Sequence, residues 1–272
     1  MIKKLSLIFI FSIILNASIL DNKIESLIGS SEFNENKGLI EFLFKNANNF
    51  YINDRVNYIA VMEKLKENGL LKVGLNSPKE VFITFKISDD PVKSMKIISD
   101  SLTTLGYYHY FTKNLFYDEY KTLTWTISLK TEAAIDPLML SKELAKNSCQ
   151  LIDIKQEGYI KWMYVIDTSY STLSDTQVIT NNERVDFRKP LTPYFIKVSN
   201  AKSIKIISKW SNQWFPQVVF YDKHLSILNI IKENNKKSSL QLEIPEGTTY
   251  IKIDDLYTLA NISRGLSVII KE

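Results

Sequence analysis

The chain has 272 residues, a net charge of +4, and 45% hydrophobic and 12% aromatic side chains. That composition belongs to packed domains, not to a disordered tail, and the length suits two modest ones. Lys3 and Lys4 supply two of the four charges, and the near-balance that remains predicts no broad field for gathering nucleic acid or anionic lipid.

Lys3 and Lys4 precede an eleven-residue apolar core, Leu5 to Leu15, and Asn16-Ala17-Ser18 then supplies small residues for cleavage. This is the three-part pattern of a secretory signal peptide over 1–18. The apolar run falls short of the roughly 20 residues a membrane span needs, and no Cys stands at the cleavage point to carry a lipid anchor. The expectation is a mature chain from near Ser18, periplasmic or secreted, with no integral membrane span.

Residues 19–78 read as a helical N-terminal segment. Leu39, Ile40, Leu43 and Phe44 have helical spacing in a first helix over 37–45. In a second, Val56, Ile59, Ala60, Met62 and Leu65 form the apolar face, with Asn53 or Asp54 as the N-cap and Gly69 beyond the C-terminus.

Residues 79–167 carry two β-α units, each with a helix opened by Asp-Pro. Val81, Ile83, Phe85 and Ile87 alternate as a strand, and a helix follows Asp89-Asp90-Pro91 with Val92, Met95, Ile98, Leu102 and Leu105 as its stripe. Strands over 107–112 and 123–129 come next, then a helix from Asp136-Pro137, a strand from Leu151 and, past Gly158, a last strand over 159–166. The order is βαββαβ plus one extra strand, which predicts a ferredoxin-like domain with its helices on one face of an antiparallel sheet. Cys149, the only cysteine, sits near a helix end and reads as a small buried hydrophobe, since no neighbour would activate its thiol.

Residues 168–193 are rich in Ser, Thr, Asp and Asn and read as a linker. From 194 to 272, short alternating runs recur roughly every ten residues, predicting an all-β sandwich. The fold class is therefore α+β.

Catalytic chemistry is thinly represented. His109 and His224 are the only histidines, no His-x-x-x-His or Cys pair is present, and the adjacent Asp254 and Asp255 would point to opposite faces of a strand. Ser199 and Lys202 match a Ser-x-x-Lys pattern only in a loop. The expectation is a non-enzymatic protein without metal or cofactor.

Two aromatic clusters stand out. Trp210, Trp214, Phe215 and Tyr221 lie among Asn212, Gln213, Gln217 and Asp222, a mixture that suits a sugar-binding surface and equally the filler of a sandwich core. Phase with Ile204 and Ile206 assigns Trp210 to the core. Trp214 and Phe215 are then the exposed pair, with Tyr221, Gln217 and Asn212 beside them as candidate binding residues. The second cluster, Tyr107, Tyr108, Tyr110, Phe111, Phe116, Tyr117 and Tyr120, fits a protein-binding edge or a sheet packed on both sides. These features point to an envelope protein whose sandwich binds a glycan or an envelope protein. The alternative is an accessory subunit of a periplasmic assembly serving secretion, motility or the cell wall. An exposed Trp214 favours the first, and an apolar patch over 107–120 the second.

Overall fold

A computed structural model describes residues 19–173 and 176–272. The expected signal peptide, 1–18, lies outside the described residues. The architecture is mixed α+β, and the chain divides into two compact units, 1–172 and 173–272. Among the described residues no helix is long and apolar enough to cross a membrane.

The first unit begins with helical turns: α1, whose described part covers 19–28, α2 (Ser30–Glu35) and α3 (Lys37–Leu43). A two-residue hairpin follows, β1 (Tyr51–Ile52) to β2 (Arg55–Val56). Asn53 and Asp54 occupy its turn with positive φ, the backbone that this tight loop requires. They are therefore turn residues and not helix caps. The cap of α4 (Tyr58–Glu67) is Asn57, whose side chain accepts from the Ala60 amide.

The sheet of this unit holds β3 (Gly74–Ser88), β4 (Phe111–Tyr117), β5 (Thr122–Ala133), β6 (Gln150–Gln156) and β7 (Lys161–Asp167), in the order β4-β5-β3-β7-β6. Helices α5 (Pro91–Thr104) and α6 (Pro137–Lys146) connect it. One set of alternating residues forms the buried face: Ile83 pairs with Ile127 and Trp162, and Phe85 with Trp125 and Tyr164. The last strand does not close an antiparallel sheet. It inserts between β3 and β6, parallel to β3, so the sheet is mixed.

The two Asp-Pro helix starts also differ. Asp136 caps α6 by accepting from the Leu138 and Met139 amides. Asp90 is left-handed at the start of α5, makes no cap bond and pairs with Lys93 at 2.7 Å. The face of α5 that is buried carries Lys93, Ser94, Ile97, Ile98, Ser101 and Leu102, while Val92 is exposed. Of its polar members, Lys93 is held by Asp90 and the Ser94 hydroxyl donates to Thr168 at 3.0 Å, so the buried face of the helix includes positions that its apolar spacing does not mark.

The second unit has two sheets. One runs β13 (Ile227–Lys232), β12 (Pro216–Tyr221), β15 (Tyr250–Asp255), β10 (Tyr194–Lys197), β8 (Gln177–Val178); the other runs β14 (Ser239–Glu243), β11 (Ser203–Ser208), β16 (Leu266–Lys271), β9 (Arg184–Asp186). Inward residues of both share one core, with Ile196, Val218, Phe220 and Ile253 from the first and Ile204, Ile206, Val268 and Ile270 from the second. The stretch 168–193 is accordingly not a free linker. β8 pairs with β10 and β9 with β16, through backbone bonds that its polar composition conceals.

Four loops cross between these sheets at one end: 187–193, 209–215, 233–238 and 256–265. Lys209 Nζ donates to the Phe187 carbonyl at 2.9 Å, the Gln213 amide to Asn261 O at 2.9 Å, and the Lys237 amide to Trp214 O at 2.9 Å. Gly265 makes the tightest approach. Its φ is +84°, and a Cβ there would stand 2.0 Å from the Phe187 carbonyl oxygen.

Candidate functional site

The tryptophan assignments are inverted. Strand β11 ends at Ser208, so the alternation through Ile204 and Ile206 does not reach Trp210, which stands 93% exposed on the turn. Ser211, with φ +71°, reverses the chain and sends the next ring inward. Trp214 is 0% exposed, and its Nε1 donates to the Asp254 carbonyl at 3.0 Å. A loop position thus supplies the largest side chain of the core.

The companions expected around Trp214 are structural as well. Asn212 is buried, donating to Gly265 O at 2.8 Å and accepting from the Arg264 amide at 3.0 Å, which fixes the turn. Phe215 is half-buried, its amide held by Asp255 and its ring edge-on to Tyr257. Gln217 and Tyr221, also half-buried, lie on β12, where Tyr221 packs against Phe195. These five residues do not converge on one exposed surface.

Titratable groups are similarly dispersed. His109 and His224 are exposed in separate units. Asp255 is buried and saturated, accepting from the amides of Phe215, Tyr257 and Thr258 and from the Asn261 side chain. Cys149 is buried, and that burial pushes its thiol up to about 12, which removes the thiolate at neutral pH. Among the described residues no three His, Cys, Asp or Glu side chains gather to hold a metal ion. A groove of about 520 Å³ over Phe82, Thr84, Thr126, Lys161 and Met163 pairs Thr84 with Thr126 at 2.9 Å. Its lining includes one cation, Lys161, and one carboxylate, Glu157.

The aromatic band of 107–120 is different. β4 is the end strand of its sheet, and all seven of its residues are exposed. Phe111 and Phe116 pair with Ser128 and Thr124, on the face opposite the buried one, and Leu115 and Tyr117 project to the other side. Tyr108 and Tyr120 are exposed beside them. Tyr107 and Tyr110 are half-buried, Tyr110 lying edge-on to Trp125 with its hydroxyl on Ser99. Lys113, the only charge within the strand, is bound to Glu80 at 3.0 Å. Its outer edge therefore offers unpaired backbone groups flanked by large apolar side chains, the combination that accepts an added strand. Leu115 was not distinguishable by spacing, because a β-bulge at Lys113 shifts the alternation.

Comparison with known protein families and with curated proteins finds no match.

Proposed function

We propose that the chain is an exported envelope protein without catalytic activity of its own, acting as an accessory subunit of a periplasmic assembly. Its first unit is read as a ferredoxin-like variant, with β7 in the place usually taken by the fourth strand, and its second as a β-sandwich. The observation that carries the reading is β4, an apolar end strand with every residue exposed. Native proteins ordinarily protect such edges with charge, proline, a bulge or a covering element; on β4 the one Lys and the bulge coincide at position 113, which leaves Leu115, Phe116 and Tyr117 as an apolar stretch that suits a partner's strand. Burial of Trp214 withdraws the main support for a glycan surface built on it.

A photo-crosslinking residue at Phe116, in intact cells, tests this reading. It should give a discrete adduct with another envelope polypeptide, while the same residue at Asn234 gives none. Phe111→Lys with Phe116→Lys should abolish association yet leave the unfolding midpoint nearly unchanged, since both rings are exposed. No adduct at 116, or equal adducts at both positions, overturns it.

A further inference from the structure

The end of the second unit where the four loops cross carries a charge that the whole-chain balance hides. Arg188, Lys189, Lys209, Lys236, Lys237 and Arg264 lie on these loops, against one carboxylate, Glu233, which Lys237 already engages at 3.5 Å. Of the nearest strand-end carboxylates, Asp186 binds Ser267 and Arg184 and also feels the charge of Lys209, while Asp255 is held by the amides described above. Loops at the opposite end mix signs, with Glu183, Asp222 and Glu246 among Lys202 and Lys223.

The same basic end presents isolated apolar tips. Trp210 is 93% exposed, Leu191 91%, and Tyr257 is exposed beside Phe215. The loops bearing them are tied together by the Lys209, Gln213 and Lys237 bonds and by the Gly265 approach to Phe187. Rings and an aliphatic tip beside the exposed cations Arg188, Lys189, Lys236 and Arg264 match the interfacial layer of an anionic bilayer, where Trp sits at headgroup depth and Lys or Arg meets phosphate.

We propose that this end of the second unit docks on the surface of an anionic lipid bilayer, with Trp210 and Leu191 entering the headgroup region and the loop cations holding phosphates. This surface is built from residues of the second unit and the β4 edge from residues of the first, so the two proposals rest on different observations. A sulfated or phosphorylated glycan would meet the same cations but would not need Leu191.

Tryptophan emission offers a local reporter. Of the four tryptophans, Trp125, Trp162 and Trp214 are at most 3% exposed, so an aqueous quencher reaches Trp210 alone. The exported protein would be mixed with vesicles of 30% phosphatidylglycerol in phosphatidylcholine, and with vesicles of phosphatidylcholine alone. Sedimentation with the anionic vesicles, weakened by salt, together with loss of iodide and acrylamide quenching of Trp210, is the expected result. Each cation removed should lower partitioning about fivefold, so Arg188→Gln with Arg264→Gln lowers it on the order of 25-fold. Leu191→Ser should weaken binding with no change in the salt slope. Unchanged unfolding midpoints certify that these exposed-site variants are folded. Failure to bind anionic vesicles at low salt overturns the proposal. So does binding that leaves Trp210 fully quenchable, that equals binding to neutral vesicles, or that survives the double Arg variant.

Discussion

Replacing Trp214 by Ala should be the most damaging single change in the second unit. A fully buried indole hides about 200–250 Å² of surface. At roughly 25 cal/mol per Å² its transfer contributes about 5–6 kcal/mol, part of which the alanine methyl retains. The Asp254 carbonyl would also lose its Nε1 donor, at about 1 kcal/mol. The expected loss is therefore about 3–5 kcal/mol, the range found for aromatic-to-Ala changes in cores. That approaches the whole stability of a small domain, typically about 5–15 kcal/mol. Trp210→Ala, by contrast, should change stability by less than about 0.5 kcal/mol. Equilibrium urea unfolding of the protein, followed by circular dichroism, measures both. Equal losses for the two variants, or a loss below about 1 kcal/mol at Trp214, would refute the placement of the two rings.

Gly265→Ala should cost roughly 2–5 kcal/mol, combining left-handed strain with the clash against the Phe187 carbonyl. Gly69→Ala, equally left-handed but in open space, should cost only about 1–2 kcal/mol, and equal losses at the two sites would count against the close approach. Cys149 should resist a disulfide reagent at pH 8 until the chain is unfolded, because burial raises its thiol to about 12; rapid labelling of the native protein contradicts this. Asp167 is held below the usual carboxylate range by hydrogen bonds from the Ser169 hydroxyl and amide and by Arg55 at 3.0 Å. The stability it contributes is then full above the ordinary carboxylate pKa of about 4 and lost as pH falls below it. Asp167→Asn should therefore fall short of the parent at pH 6, the gap should narrow as pH falls below about 4 and through the depressed pKa of Asp167, and a gap independent of pH would exclude that origin.

Local periodicity was legible wherever one face of an element is buried and the element is long. The alternation of Val81 to Ile87, the Asp136-Pro137 helix start and the left-handed Gly69 all stand in the fold as spacing implies. Errors fell where a pattern was carried past the end of its element. Trp210 follows Ile204 and Ile206 in phase, yet β11 stops two residues earlier, and a turn with Ser211 at positive φ exchanges the inside and outside of the two tryptophans. The position of β7 beside β3 was illegible for another reason. Strand order depends on which edge a hairpin can reach, and the β6–β7 segment looks the same in sequence whether its second strand ends outside or inside the first.

Charge was hidden by summation. A net value adds every residue with equal weight, whereas an approaching surface feels only those within about a Debye length, roughly 8–10 Å. On the strands and helices many cations have a carboxylate neighbour, as Lys252 has Asp254 at 3.2 Å and Lys142 has Glu63 at 2.6 Å. Four loops widely separated in sequence contribute one or two cations each, too few to form a basic run anywhere along the chain. Only the alternation of the chain between two sheets brings them to one end. A nearly neutral composition therefore excludes a uniformly charged protein and leaves a polarised one untouched, and the arrangement of sheet crossings decides between them.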